Sequence, residues 1–384
     1  MIVIAILNIA IPIFIFVLIL GIVVLVHELG HFFMARRCGT FVEEFAMGMG
    51  PKLLAIRGKK RAQIEIEGEE NVTLYTLRLF PIGGFCKMRG MEENMPDDPE
   101  SLGNKSIFAR VLVMAGGSLF NFALALLIFV FLALFSGYVT PTVSAVVPGS
   151  PGYRAGLQVG DRITHMNSTR VTLWENLRFT LDMNGGEPID LRVTREGQQL
   201  TLQVTPELNA YGNYMVGFHP SIRVGFLDRH VVSEGVARAG ILGSISNGVE
   251  MIGFNIRTPF RLLTRWISRE PMPEGAGLQS VIGIAGDVTE VYQVTIQHGI
   301  LPTVLTMLSI AGLISVALGT MNLLPIPALD GARLVFLAIE AVRRKPISQE
   351  KEGMVHFVGF IILIVLLVVV AYRDIVNLLP SGVS

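Results

Sequence analysis

"GIVVLVHELGHFFMARR", residues 21–37, ends a long apolar run with ionisable side chains. A helix that crosses about 30 Å of hydrocarbon needs roughly 20 apolar residues, at about 1.5 Å of rise per residue. Ionisable groups inside a bilayer are costly, and they usually have a function there. The stretch therefore predicts a first transmembrane helix whose inner end carries functional side chains.

The composition agrees with a membrane protein. Hydrophobic residues make up 51% of the 384-residue chain and charged residues only 16%, and the mean hydropathy is positive. The formal net charge is zero, so no nucleic-acid partner is expected. The two cysteines, Cys38 and Cys86, both lie near the first membrane segments, and this placement does not indicate a disulfide framework.

Four segments are long and apolar enough to cross a membrane. They are residues 4–35, 111–135, 301–324 and 355–371. Asn8 and Pro12 leave open whether the first segment begins near residue 4 or near residue 12. No cationic start or small-residue cleavage pattern precedes this segment, so we expect it to be retained.

Lysine and arginine set the expected orientation. They are concentrated in residues 36–105 and 333–351, which places these loops on the cytoplasmic side. The N-terminus, the polar middle of the chain and the C-terminus then face outward. Arginines at 257, 261, 265 and 269 fall on the outer side, but the rule weakens in long loops.

The histidines of the opening stretch have the spacing of metal ligands. His27 and His31 are four residues apart and share one helix face, while Glu28 projects beside them. In zinc hydrolases this arrangement binds the metal and supplies a general base. Glu28 lies eight residues before Arg36, about 12 Å along a helix, so the group sits inside the membrane. Pairing of the histidines with backbone carbonyls or another helix is the alternative.

A catalytic zinc ion usually has three protein ligands. Asp330 is the only acidic residue between Glu290 and Glu340, and it follows the helix-breaking residues Pro325 and Pro327. Irregular backbone at membrane depth must be covered by protein or line a wet cavity. Asp330 is therefore the predicted third ligand, and an ion pair with a nearby arginine is the alternative.

Several motifs together resemble the site-2 protease family of intramembrane zinc metalloproteases, and most closely its bacterial regulator-of-sigma-E protease type. They are "HELGH" in the first helix, "GGSLFN" (116–121) in the second, and "NLLPIPALDG" (322–331) about 300 residues later. The resemblance implies one zinc ion per chain bound by His27, His31 and Asp330, with Glu28 as catalytic base. It also implies that Asn322 contacts the substrate. For Asn121, a position near the site and an interhelical hydrogen bond both remain open.

Residues 72–76 alternate as in a strand, and Pro81, Gly83 and Gly84 predict a turn. In the resembling family a "GGYVKM" stretch forms a membrane-entering β element whose edge meets the substrate. "GGFCKM" (83–88) matches it in shape only, because phenylalanine and cysteine replace tyrosine and valine. Gly83, Gly84 and Phe85 are the substrate-binding residues implied by the resemblance.

The outward region 140–221 predicts a small α+β domain with one helix over residues 174–181. "AGLQVGDRI" (155–163) resembles the PDZ domains of bacterial membrane proteases, and the chain has room for a single one. Residues 247–269 interleave apolar side chains with arginines. They predict an amphipathic helix in the membrane interface, or else a polar face on a linker that Pro259 interrupts.

The predicted fold is a polytopic α-helical membrane protein with about four transmembrane helices, a cytoplasmic-side membrane-associated β element and an inserted α+β PDZ domain. Its predicted parts are the first transmembrane helix (1–37), the β region (38–106), the second helix (107–137), the PDZ-like domain (138–225), the linker with its interfacial helix (226–299), the third helix region (300–342), a cytoplasmic loop (343–354), and the fourth helix with the C-terminal tail (355–384).

The predicted function is zinc-dependent hydrolysis of peptide bonds within or near the transmembrane segment of single-pass membrane proteins. The resemblance implies substrates such as an anti-sigma factor in a stress response or a remnant signal peptide. The lipid bilayer of the bacterial plasma membrane is the other expected partner. The alternatives are an inactive PDZ-containing scaffold and an ion-coupled transporter, since intramembrane acids and broken helices also suit ion pathways.

Overall fold

The computed structural model describes residues 2–63, 65, 71–91, 95–209, 212–226, 238–269 and 279–378. Parts of the predicted linker, at 227–237 and 270–278, and the predicted tail at 379–384 lie outside the described residues. The chain divides into two compact units. We call Met1–Ala125 with Leu278–Ser384 the helical unit, and Leu126–Gly277 the sheet unit.

The described α-helices are α1 Ile2–Arg37, α2 Ile107–Phe135, α3 Pro151–Arg154, α4 Trp174–Asn184, α5 Ile241–Ile267, α6 Val281–Ile296, α7 Ile300–Leu323, α8 Asp330–Arg343 and α9 Gln349–Leu378. The described strands are β1 Val42–Arg61, β2 Val72–Met88, β3 Tyr138–Val146, β4 Arg162–Met166, β5 Thr169–Arg170, β6 Ile189–Arg195, β7 Gln198–Val204, β8 Glu207–Leu208, β9 Tyr214–Met215 and β10 Phe218–Arg223.

Four helices contain segments long and apolar enough to cross a membrane. These segments are Asn8–Arg37, Ile107–Phe135, Ile300–Leu323 and Glu350–Val376. They overlap the four segments predicted from the sequence, so the prediction of a polytopic α-helical membrane protein is confirmed. The predicted third helix region, 300–342, consists of two helices, because α7 ends at Leu323 and α8 begins at Asp330.

One face of α1 is buried along much of its length. Phe16, Ile19 and Val23 follow one another at intervals of three and four residues, and they pack with Val288 of α6 and Met307 of α7. The same interval leads on to the buried histidines 27 and 31. Because residues at these intervals share one helix face, the packing that buries the apolar stripe also turns both imidazoles toward the protein interior.

Strands β1 and β2 form a sheet in which each strand contributes two segments. Residues 42–47 pair with 84–88 on one side and with 74–77 on the other, and residues 52–61 pair with 72–78. Residues 84–88 therefore lie at an edge of this sheet. At the end of α1, Arg36 donates hydrogen bonds of 3.1 Å to the Thr73 and Tyr75 hydroxyls, which fixes β2 against the helix.

The predicted turn at Pro81, Gly83 and Gly84 is confirmed by the register, although strand geometry continues through these residues to Met88. Residues 74–77 run in the same direction as residues 44–47, whereas residues 84–88 run against residues 42–47, so the chain reverses its direction between Leu77 and Gly84. Gly83 has a φ of +86°, and the register between the two strands shifts around it. Proline and glycine inside a strand commonly mark a bulge or an irregular edge. The proline and the glycines therefore mark the place where the chain turns from the inner segment of β2 to its edge segment.

The sheet unit has a mixed α and β structure. Its main sheet has the strand order β10-β3-β4-β6-β7, with β5 paired to β4. Buried side chains of the sheet and of α4 form a core that includes Ile163, Met166, Leu177 and Leu191. Helix α4 covers the predicted helix at 174–181. The identification of this unit as a PDZ domain stays a prediction.

Helix α5 runs without interruption through Pro259. This differs from the reading in which Pro259 interrupts the pattern. Within the sheet unit, the Arg265 guanidinium donates a 2.6 Å hydrogen bond to the Met183 carbonyl, and the rings of Phe179 and Phe254 meet edge to face. Helix α6, inside the predicted linker, was not expected. It is short and apolar, and it packs against α1 in the helical unit.

Candidate metal centre

Three side chains from distant parts of the sequence meet in the helical unit. The His27 and His31 Nε2 atoms are 3.2 Å apart, and each lies near the Asp330 Oδ2 atom, at 3.2 and 3.1 Å respectively. A tetrahedral zinc ion with bonds of about 2.0–2.1 Å holds its ligand atoms about 3.4 Å from one another. Two nitrogens and one carboxylate oxygen at these separations fit zinc.

The tautomer of His31 is set by its hydrogen bond to helix α2. Its Nδ1 lies 2.8 Å from the Val113 carbonyl oxygen. A carbonyl can only accept, so the Nδ1 atom carries the proton and the Nε2 atom keeps a lone pair. Zinc-binding histidines commonly have such a bond on the second nitrogen, because it fixes the ring orientation and raises the basicity of the ligand atom.

Asn121 contacts the second nitrogen of the other histidine. Its side-chain amide lies 3.4 Å from the His27 Nδ1 atom, and the residue is fully buried. The oxygen and nitrogen of such an amide are distinguished only by their hydrogen bonds. The structure places the Asn121 Nδ2 atom at this distance and gives its Oδ1 atom no hydrogen-bond partner. A zinc-binding Nε2 atom would require a proton on Nδ1, and the amide turned by about 180° would then accept that proton through its oxygen. This contact favours the position near the site over a purely interhelical hydrogen bond.

Glycines of α2 let α1, the helix that carries both histidines, approach closely. A Cβ atom added to Gly117 would lie 2.6 Å from the His31 Nε2 atom and 2.7 Å from the His27 Nε2 atom. One residue earlier, Gly116 packs backbone to backbone against Gly30 of α1. Small residues at such a crossing allow helices to pack closely in membranes. Both glycines belong to the GGSLFN motif, but the sequence alone does not indicate that Gly117 lies against the two imidazoles.

Asp330 is the first residue of α8, directly after an irregular turn. In the turn, Ala328 has a φ of +75°, which is uncommon for a residue with a side chain. Gly331 packs against the backbone carbonyl of Leu324 with no room for a Cβ atom. This close approach brings the start of α8 back onto the end of α7, and Asp330 onto the histidines.

A cavity lies beside the two histidine nitrogens and the Asp330 carboxylate. Its lining consists of His27, Glu28, His31, Phe85, Cys86, Met88, Met91, Met114, Asn322, Ala328 and Asp330. The predicted base Glu28, the predicted substrate contact Asn322 and the predicted Phe85 thus share one cavity with the three predicted metal ligands. The Asn322 amide also donates a 3.0 Å hydrogen bond to the Leu318 carbonyl in its own helix.

The edge of the β element meets α1 at Glu28. A Cβ atom on Gly84 would lie 3.2 Å from the Glu28 Cγ atom and 2.8 Å from the Ala46 carbonyl. Gly83 does not line the cavity, and its nearest neighbour is Met49. Of the three predicted residues, Phe85 lines the cavity, Gly84 lies against Glu28 without lining it, and Gly83 lies against Met49.

An HExxH helix, a distant aspartate that meets it, and apolar helices around both define a class of enzyme, the membrane-embedded metallopeptidases. The chain belongs to peptidase family M50, the site-2 protease family, whose sequence profile matches residues 15–366. The resemblance seen in the sequence is thereby confirmed. So are the predictions of a metalloprotease and of zinc as its cofactor.

Relatives match nearly the whole chain. It is 32% identical to a Clostridium acetobutylicum protein provisionally named a zinc metalloprotease, over 94% of this chain and 96% of the relative. It is 30% identical to the zinc metalloprotease RasP of Shouchella clausii, over 94% and 98% of the two chains. The RasP protein of Bacillus licheniformis is 29% identical over the same shares. All three relatives are bacterial, in agreement with a bacterial membrane protein.

Proposed function

We propose that this protein is an intramembrane endopeptidase that hydrolyses peptide bonds within or near the transmembrane segment of single-pass membrane proteins. The observation that supports this most strongly is the meeting of His27, His31 and Asp330 between helices of membrane-spanning length. Ionisable groups are costly in such surroundings. The distances among the nitrogen and oxygen atoms of these three side chains also suit a zinc site better than an ion pathway or an inactive scaffold. So does the hydrogen bond between the His31 Nδ1 atom and the Val113 carbonyl.

Each proposed role follows from where the side chain lies. Zinc, when bound by the three ligands, polarises a peptide carbonyl and makes water a better nucleophile near neutral pH. Glu28 lies beside the ligands in the same cavity. There its carboxylate can take a proton from the attacking water and deliver it to the leaving amine. Asn322, on the same lining, can donate to a substrate carbonyl if it releases its bond to Leu318.

The β element provides a place for an extended substrate. Residues 84–88 form the edge of the sheet next to Glu28, and an edge strand can bind a peptide through backbone hydrogen bonds. A transmembrane helix hides its own peptide groups, so it must unwind before hydrolysis, and an edge strand can hold the unwound segment without reading its sequence. The ring of Phe85 lies against the Arg78 guanidinium at 4.8 Å, which fixes this side chain at the cavity.

The β element also has the surface of a membrane-associated structure. Several of its large apolar side chains are exposed, among them Leu53, Ile56 and Phe80 at 60%, 57% and 56%, and such exposure fits contact with a membrane or a partner. The loop charges support a cytoplasmic position for this element and an extracytoplasmic position for the sheet unit. In that orientation a PDZ-like sheet unit controls which substrates enter, such as anti-sigma factors or signal-peptide remnants.

The test is cleavage of a model single-pass substrate by the purified full chain in detergent. We expect cleavage inside or next to the substrate's transmembrane segment, loss of cleavage with a chelator, and recovery when zinc is returned. Mass spectrometry of the products locates the cut. Cleavage only in a soluble loop far from that segment would refute the intramembrane proposal, and cleavage unaffected by metal removal would refute the zinc site.

A further inference from the structure

Helix α9 contacts the turn that leads into Asp330. The His356 Nδ1 atom lies 2.9 Å from the backbone nitrogen of Ala328. A backbone N–H donates, so Nδ1 is the acceptor and the neutral ring carries its proton on Nε2. Ala328 lies two residues before Asp330, and both residues belong to the cavity lining.

The turn needs support because its backbone is unusual. Ala328 has a left-handed φ of +75° without being glycine, a conformation that persists only when the surrounding structure holds it. The neighbouring turn bonds run from Ile326 N–H to the Leu324 carbonyl and from Leu329 N–H to the Ile326 carbonyl. The Ala328 N–H is directed away from the turn, toward α9, and bonds to His356.

A second contact joins the same helix to the same turn. Gly359, three residues after His356 in α9, packs against the Pro327 ring with no room for a Cβ atom. His356 is held in place by the Phe336 ring of α8, with ring centroids 5.8 Å apart. Its Nε2 atom lies 3.8 Å from a Glu352 carboxylate oxygen. One turn of α9 therefore contacts two consecutive residues of the turn.

We infer that His356 is a positioning residue of the metal centre, and that it holds the Ala328 turn so that Asp330 starts α8 at the histidines. His356 reaches the site only through the backbone of the turn and has no direct part in the reaction. The inference rests on the proposed role of Asp330 as a zinc ligand. It extends the functional machinery to the fourth membrane-spanning helix, where the sequence analysis predicted no functional residue.

The test compares substitutions that keep or remove the acceptor. Asparagine places its Oδ1 atom the same number of bonds from Cα as the histidine Nδ1 atom, whereas glutamine places its amide one bond further out. His356→Asn should bind zinc much as the wild type does. His356→Ala and His356→Gln should bind it roughly 10–100-fold more weakly, the usual range for loss of a group that orients a metal ligand.

Zinc affinity is measured on the purified full chain by competition with a chelator of known affinity. A paired substitution in α9 provides an independent arm. Gly359→Ala should also weaken zinc binding, because its methyl group displaces Pro327. Gly353→Ala is the matched control on the same helix, with no neighbouring atom within 4 Å of the added carbon, and it should leave affinity unchanged.

Asp330→Ala separates the two proposals. If Asp330→Ala lowers zinc affinity but His356→Ala does not, the inference about His356 is wrong and the proposed ligand set stands. If Asp330→Ala binds zinc as the wild type does, the ligand set itself is wrong. Equal losses in His356→Asn and His356→Ala, with both chains folded and monodisperse in detergent, would also overturn the inference, because the acceptor would then not matter.

Discussion

Gly117→Ala is a small change that should disable the metal centre. The new Cβ atom would lie 2.6 Å from the His31 Nε2 atom and from the His27 Cε1 atom, whereas non-bonded heavy atoms pack at about 3.5 Å or more. One partner must therefore move by about 0.9 Å. Zinc sites tolerate bond-length deviations of only about 0.2 Å, so a shift of this size displaces a ligand atom.

The substitution has two physical effects, a favourable one on the stability of α2 and an unfavourable one on zinc binding. Alanine favours a helix over glycine by about 1 kcal/mol, so on propensity alone α2 should become more stable. The steric effect should nevertheless lower zinc affinity by on the order of 100-fold, at the upper end of what misplaced ligands cost. This corresponds to about 2.7 kcal/mol.

The assay measures zinc per chain and cleavage of a model transmembrane substrate in the same preparation. Thermal unfolding in detergent shows whether the fold survives. Gly353→Ala serves as the control, since it is also a glycine in a long helix but has open space around the added carbon. A Gly117→Ala protein with full zinc content and full activity would contradict the positions of the histidines described above.

Two further predictions concern hydrogen bonds. Asn121→Leu should lower zinc affinity roughly 10–100-fold, because His27 loses the acceptor for its Nδ1 proton. Asn121→Asp keeps an acceptor and should retain zinc. Equal losses of affinity in the two variants, measured by competition with a chelator, would contradict this prediction. In the sheet unit, burial alone would raise the pKa of Asp161, but bonds from the Arg195 guanidinium at 2.7 Å hold it below its ordinary value. The pair should therefore stabilise the unit above pH of about 4 and progressively less as the pH falls through the lowered pKa. Arg195→Leu should flatten this acid dependence, measured by fluorescence of the two tryptophans, which both lie in the sheet unit.

Most of the candidate metal centre could be predicted from the sequence, because ionisable side chains are costly at membrane depth and usually have a function there. An uncharged run that ends in two histidines and a glutamate has few non-functional explanations. Asp330 stood out for the same reason, as an isolated acid after two prolines. The structure brings these residues together. Their proximity could be expected from membrane helices that pack side by side, without knowing how the roughly 300 residues between them fold.

The β element was harder to predict, since its folding depends on contacts between distant segments. Residues 42–61 carry no clear period-two pattern that would separate them from a loop, yet they pair with β2 along both halves. Proline and glycine in β2 indicated a turn, and only the pairing with β1 shows that this turn joins an inner segment to an edge segment of one sheet. Cross-strand pairing, rather than local preference, decides such cases.

The residues that hold the site in place could not be predicted from the sequence, because their roles also depend on contacts between distant segments. Gly117 is ordinary for a membrane helix until the imidazoles packed against it are known. His356 stands among apolar residues at the start of α9, and its role appears only when the Ala328 amide is placed beside it. Helix α6 lies inside the predicted linker, and its 16 residues are too few to cross a membrane, so the search for membrane-spanning segments does not reveal it.

The central claim is that Glu28 acts as a base beside zinc bound by the two histidines and Asp330. The most direct measurement is zinc content together with cleavage rate in Glu28→Gln, a substitution that preserves shape and leaves all three ligand atoms in place. We predict wild-type zinc content with no detectable cleavage of the model transmembrane substrate. Cleavage at the wild-type rate by the zinc-loaded variant would contradict the assignment of Glu28, and loss of zinc would contradict the separation of base and ligands.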